Sequence, residues 1–335
     1  MCRRLFLLIL LCVVAGMPAW ACTSAVVSGR VTPDGRPLLW KHRDASDLNN
    51  RIVRFDAVKG QFSFVGVVNG TDTLAREVWT GYNSVGFAVM NTASYNLKND
   101  TSSLADREGV VMKRALAVCR TVDDFARLLD EWPRPIGVEA NFGAIDAEGG
   151  AAYFEVNNYE VTRYDVADAP DGYLLRTNYS MSGRPDEGFG YIRYDNAARL
   201  FAPVAAQKAI TPEWLTGVCS RSFYHTLLGR DLSGDNWAVD QDFIPRRSTS
   251  ASLVVEGVKP GESPAFTTMW TVLGYPPCSV ALPVWLGCNS GVPALLQASG
   301  DTLRAPLCEW ANALKREAFP IERGSGSHYL HMARL

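Results

Sequence analysis

Short apolar and β-branched runs broken by turn residues dominate the first half of the chain. Residues 22–29 (CTSAVVSG) are small and partly β-branched, TPDGRP at 32–37 is a turn signal, and LLWKHRD follows at 38–44. Two such runs around a Pro/Asp/Gly turn predict a hairpin. Further strand-like runs lie at 52–55, 61–68, 86–91, 141–146, 150–156 and 173–177, with DAEGG joining two of them as a second hairpin. Val111, Ala115, Val118, Val122, Phe125 and Leu129 recur at steps of three and four, which predicts one long helix over about 109–131. Shorter helical patterns fall near 193–203, 219–228 and 303–317, and strand patterns return at 250–256 and 266–273. Strands in hairpins, then helices, then strands again predict an α+β fold with helices packed on antiparallel sheets.

The first 21 residues read differently. Arg3 and Arg4 precede an apolar run over 5–14, and Ala19-Trp20-Ala21 puts small residues at the two positions a signal peptidase reads. The run is too short to cross a bilayer, which takes about 20 residues. The expectation is a secretory signal peptide over 1–21 and one mature domain over 22–335, exported to the periplasm or the medium, with no later membrane span. Losing Arg3 and Arg4 moves the net charge from −2 (33 basic, 35 acidic) to −4 (31 basic, 35 acidic). So mild a balance leaves no electrostatic footprint for nucleic acid. A cysteine directly after a leader can instead carry lipid, which would make the protein an anchored envelope binding protein. Trp20 fits the small position of that signal poorly.

Cysteines 22, 119, 219, 278, 288 and 308 remain after cleavage, and their spacing matches neither a disulfide framework nor a zinc site. Cys119 lies in a helical pattern and reads as a buried thiol. Pairing among Cys219, Cys278, Cys288 and Cys308 stays open. No Cys/His cluster calls for a metal, and no cofactor is implied; homo-oligomerisation is left open.

Cys22 has a chemical use that the leader alone does not reveal. A thiol attacks as the thiolate and needs a base. An α-amino group titrates near 7.7–8.0, so a terminal cysteine carries a base on its own residue. That holds only after the preceding peptide bond is cut, because an amide nitrogen is no base. Without further signals Cys22 is equally readable as an ordinary residue just past the cleavage point.

CTSAVVSGR…GRPLLWKHRD, YNSVGFAVMNT, YLLRTNYS and GYIRYDNAARL follow one another along the chain from Cys22 onward. In this order and rough spacing the chain resembles the linear amide hydrolases of the N-terminal-nucleophile superfamily, which include choloylglycine hydrolases, penicillin V acylases and the isopenicillin-N acyltransferase group. The resemblance implies a four-layer αββα sandwich and a Cys22 nucleophile that forms an acyl-enzyme from a small acyl-amide. It also implies that Asp44 orients the terminal amine, and that Asn178 and Asn91, the latter through backbone or side chain, stabilise the oxyanion. Arg193 is matched to the family's late arginine, expected to favour the thiolate and to hold Asp44 or nearby carboxylates. Lys41 stands where the family often has arginine. Arg43 is its rival, weighed against by the alternation of strand side chains between faces. Read without the resemblance, Asp44 is an acidic strand end, the asparagines are turn residues, and Arg193 is a surface helix residue. Asn178-Tyr-Ser is also a glycosylation sequon. Trp40, Tyr82 and Phe87 are candidates for a hydrophobic slot, and residues 266–287 for either an acyl pocket wall or core. Hydrolysis and transfer to another amine remain alternatives.

Overall fold

The computed structural model describes residues 21–102, 104–288, 291–300, 302–321 and 328–335. The leader assigned to 1–21 therefore lies outside the described residues except for Ala21. β1 (Thr23–Val27) and β2 (Leu38–Asp44) form the expected hairpin, with Ser24 opposite Lys41 and Val27 opposite Leu38. They sit inside a six-stranded sheet. β10 (Tyr173–Arg176) flanks β1, and strands Thr249–Glu256, Thr268–Leu273 and Leu282–Val284 follow beyond β2.

A second, seven-stranded sheet runs in sequence order. It comprises β3 (Asn50–Phe55), β4 (Phe64–Asn69), β5 (Thr80–Asn83), β6 (Ala88–Ala93), β7 (Ala140–Ile145), β8 (Ala151–Val156) and β9 (Val161–Asp165). Its neighbouring strands are antiparallel throughout.

Side-chain alternation sorts the apolar residues into three layers of core. Val26, Leu39, Leu253 and Val255 of the six-stranded sheet meet Val65, Val67, Met90 and Ile145 of the other. The far face of the seven-stranded sheet takes α1 (Glu108–Val118) and α2 (Val122–Glu131), with Phe125 against Phe142 and Phe154. The far face of the six-stranded sheet takes α3 (Tyr191–Ala206) and α4 (Pro212–Gly217), with Phe201 against Trp40. The layers are thus helix, sheet, sheet, helix: an αββα sandwich. α5 (Pro306–Ala318) packs near the end of the six-stranded sheet, burying Leu307, Cys308 and Ala311.

Three expectations need correcting. The long helix over 109–131 is two helices, because Cys119 is extended and Thr121 starts α2 with a capping box. The Thr121 side chain accepts from the Asp124 N–H, while Asp124 bonds back to the Thr121 N–H. The segment 219–228 is not a helix but two single 3-10 turns around the short strand Tyr224–His225. Trp40, Tyr82 and Phe87 are all core residues, one in each of the three apolar layers, and line no slot. Residues Thr268–Leu273 serve the core as well.

Candidate active site

Cys22 immediately precedes β1, at the end of the central hairpin. Its Sγ lies 3.7 Å from the carbonyl oxygen of Asp44, the last residue of β2. Strand parity decides what surrounds each side chain. Ser24 and Val26 point between the sheets, so Cys22 shares that face, whereas Thr23 and Ala25 point toward α3. On β2, Lys41 and Arg43 point between the sheets, and His42 and Asp44 point the other way. The alternation argument against Arg43 fails here: positions 41 and 43 are two apart, so both side chains enter the same inter-sheet space as the thiol.

On the helix-side face, Asp44 is buried and doubly held. Thr249 Oγ1 donates to its Oδ1 at 2.6 Å. Arg246 Nη2 donates to its Oδ2, and the same Nη2 lies 2.8 Å from the Ala21 carbonyl oxygen. One guanidinium thereby bridges Asp44 and the peptide bond that precedes Cys22. His42 stands next to this pair, with Nε2 3.2 Å from Thr249 Oγ1. Burial holds its imidazole down to about 4, so it is neutral at physiological pH.

Arg193, on α3, reaches back to the same junction. Nη1 donates to the Cys22 carbonyl at 2.5 Å and to Thr23 Oγ1 at 3.1 Å, and Nη2 donates to Asn178 Oδ1 at 2.8 Å. Burial first, and then the neighbouring Arg246, push its pKa down to about 9, which leaves it charged at neutral pH. Gly190 makes this reach feasible. At φ 90° it starts α3, and a Cβ there would lie 2.3 Å from Arg193 Nη2. Asn178 is buried, and its Nδ2 donates to the Ala93 carbonyl at 2.8 Å.

On the inter-sheet face, Lys41 Nζ donates to the Trp79 carbonyl at 2.7 Å and to Asn91 Oδ1. Asn91 Nδ2 donates in turn to Glu108. Burial lowers the Lys41 pKa to about 8, opposed chiefly by the charge of the Cys22 sulfur in its thiolate form. Arg43 is held by Asn50 Oδ1 at 2.8 Å and Asn69 Oδ1 at 2.7 Å, and its guanidinium lies 5.3 Å from the Trp79 ring centroid. All six residues expected from sequence, Cys22, Lys41, Asp44, Asn91, Asn178 and Arg193, therefore converge on the two faces of one hairpin end.

The family model described as acyl-coenzyme A:6-aminopenicillanic acid acyl-transferase matches residues 34–202. The chain belongs to this family. With it the chain is placed in the N-terminal-nucleophile linear amide hydrolase superfamily. Several solved structures align with the acyltransferase-family chain at low identity. An N-acylethanolamine-hydrolyzing acid amidase ortholog from Caenorhabditis elegans is 14% identical, with 70% of this chain and 92% of that one covered and a TM-score of 0.44. A variant of conjugated bile acid hydrolase from Clostridium perfringens is 11% identical, covering 79% and 92%, with a TM-score of 0.49. Penicillin V acylase from Agrobacterium tumefaciens is 12% identical, covering 79% and 85%, with a TM-score of 0.40. No curated protein sequence matches the chain.

Sequence reasoning missed four residues at this site: Arg246, Thr249, His42 as a partner of Thr249, and Glu108. The Asp44 partner was sought in Arg193, which spends its bonds on Cys22, Thr23 and Asn178. The guanidinium that binds Asp44 is Arg246, which lies outside the family match and in a segment without periodicity. One signal was available: RRSTS at 246–250 puts two arginines directly before a predicted strand.

Proposed function

We propose that the protein is an exported cysteine amidase that hydrolyses linear acyl-amides through an acyl-enzyme on Cys22. The observation that carries the reading is the Arg246 bridge. It places the Ala21–Cys22 peptide bond next to the buried carboxylate of Asp44. An amine released at Cys22 by cleavage of the leader emerges beside a group that can orient it and steady its protonated form.

In the proposed reaction the α-amine takes the thiol proton and the sulfur adds to the amide carbonyl. Asn178 donates the second hydrogen of its side-chain amide to the oxyanion, since the first is given to the Ala93 carbonyl. Asn91 contributes its backbone N–H or its second amide hydrogen, since the first is given to Glu108. Such a donor is worth about 3 kcal/mol of transition-state stabilisation. The ammonium then gives its proton to the leaving nitrogen as the C–N bond breaks. Water, deprotonated by the same amine, cleaves the thioester and regenerates the thiol. Arg193 fixes the backbone of the nucleophile through the Cys22 carbonyl, and Lys41 and Arg43 supply positive charge on the side where the sulfur lies.

The test is a panel of acyl-amides assayed with the mature protein, together with sequencing of its N-terminus and its intact mass. A start at unmodified Cys22, turnover of at least one amide, and its loss in Cys22→Ser support the reading. A diacylglycerol mass on Cys22 supports the anchored binding protein instead. Transfer of the acyl group to an amine is the second reading, favoured by the family's description. Added amine acceptors that divert product from the free acid identify it.

A further inference from the structure

The buried chain from Cys22 away from Asp44 runs through Lys41 and Asn91 and ends on a carboxylate that the reaction as written does not use. Glu108 is the first residue of α1, where an acidic side chain ordinarily faces water and the helix dipole. Here it is buried. Gly109, next to it, lets the helix start come close to the segment that leads into β5: a Cβ there would lie 2.7 Å from Glu77 Cβ, and the Gly109 carbonyl accepts from the Val78 N–H at 3.1 Å. The Glu108 carboxylate thus reaches β6 and accepts from Asn91 Nδ2.

The Lys41 contact settles the orientation of the Asn91 amide. An ammonium can only donate, so Oδ1 must face Lys41, and this leaves Nδ2 to donate to a Glu108 carboxyl oxygen. Exchanging the two ends would set the Asn91 NH2 against the Lys41 ammonium, donor against donor. Among the described residues, Asn91 Oδ1 is the side-chain acceptor of Lys41, whose other bond goes to the Trp79 carbonyl.

We propose that Glu108 is a positioning residue of the reaction centre, whose carboxylate fixes the Asn91 amide and, through it, the place and the charge of the Lys41 ammonium beside Cys22. The inference rests on the amidase reading for its catalytic meaning, but the geometry it names is independent of any substrate. Cys22, Arg43, Glu108 and Asp106 act on Lys41, and Asp106, Lys41 and Glu139 act on Glu108. Burial and then Asp106 push the Glu108 carboxyl well above its ordinary range, while the Asn91 bond and Lys41 draw it back. Of the carboxylates, Glu108 acts most strongly on Lys41 and raises its pKa.

The experiment is the pH profile of Cys22 alkylation by iodoacetamide, read peptide by peptide by mass spectrometry on the mature protein. The part of the wild-type profile that Lys41→Arg abolishes belongs to Lys41, with a midpoint near 8; what remains belongs to the α-amine. Glu108→Gln is expected to move the Lys41 midpoint down by about one pH unit, the size of effect of one opposite charge a few ångströms away. It is expected to change nothing in the Lys41→Arg background. An unmoved midpoint, or the same shift with arginine at position 41, overturns the inference. If Glu108→Gln does not fold, Asn91→Leu cuts the same link, and its midpoint must move in the same direction or the inference falls. On a turned-over amide, Glu108→Gln lowers kcat about tenfold with KM nearly constant, as for an interaction made in the transition state. A protein that cleaves no amide refutes the amidase reading and leaves the alkylation result to decide this one.

Discussion

Arg246 and Asp44 form an ion pair across 202 residues of sequence, and the Arg246 atom that makes it also holds the carbonyl of Ala21. The Asp44 carboxylate is almost fully buried, and Thr249 Oγ1 is its further hydrogen-bond partner among the described residues. Arg246→Ala therefore leaves a nearly unpaired charge inside the protein. Such deletions cost about 3–5 kcal/mol, which urea denaturation will show. Asp44→Asn in the same chain should recover part of the loss, and strict additivity of the two changes would argue against the pairing.

Glu155 tests the support of Asn178 from the opposite side. Its buried carboxylate takes Arg176 Nε at 2.7 Å, the Met181 N–H at 2.9 Å and the Ser182 N–H at 2.7 Å. It ties the segment after Asn178 to β8. Glu155→Ala removes four accepted hydrogen bonds, the Ser182 hydroxyl's included, and strands a buried guanidinium. The expected loss is about 3–5 kcal/mol, with proteolysis concentrating near residues 179–184. Cleavage unchanged at that segment would contradict the tie.

Gly190→Ala probes the Arg193 clamp without touching Arg193. The new methyl meets Nη2, and the residue must also hold a positive φ, so a loss of about 1–3 kcal/mol is expected. The larger effect falls on turnover, because Arg193 loses its grip on the Cys22 carbonyl. A variant with full turnover would show that the clamp is dispensable.

Asp240 gives a pH signature. Burial raises its carboxyl to about 6, with the Arg247 N–H as the main opposing contact. The folded protein therefore holds this proton more tightly than the unfolded chain, whose carboxyl titrates near 3.9. The linked stability rises as pH falls from about 7 to 4 and is lost as pH rises through 6. Thermal denaturation against pH should show this increment in the wild type and its disappearance in Asp240→Asn. Parallel curves for the two proteins would remove the assignment.

Much of the scaffold was legible because it rests on local pattern. The hairpin was marked by its Pro-Asp-Gly turn, and α3 and α5 by their apolar spacing. The failures have physical causes. The period of 3.6 continues in phase from Val111 to Leu129, but Thr121 and Asp124 cap a new helix, so periodicity alone could not reveal the break. Trp40, Tyr82 and Phe87 lay near the motifs in sequence, yet strand alternation carries Trp40 and Tyr82, and the turn before β6 carries Phe87, each into a different core layer. The site itself was half legible. Residues on the hairpin and on the strand ends carried a recognisable order, whereas Arg246 lies in irregular chain and Glu108 resembles any acidic residue at a helix start. Both became identifiable only through the contacts they make.

The central claim is that the α-amino group of Cys22 is the base of its own thiol. The most direct measurement compares acyl-enzyme formation, followed by intact mass, in protein that begins at Cys22 and in protein that keeps Ala21 before it. A rapid acyl adduct on Cys22 is expected in the first and none in the second, with circular dichroism alike. Equal acylation of both would contradict it.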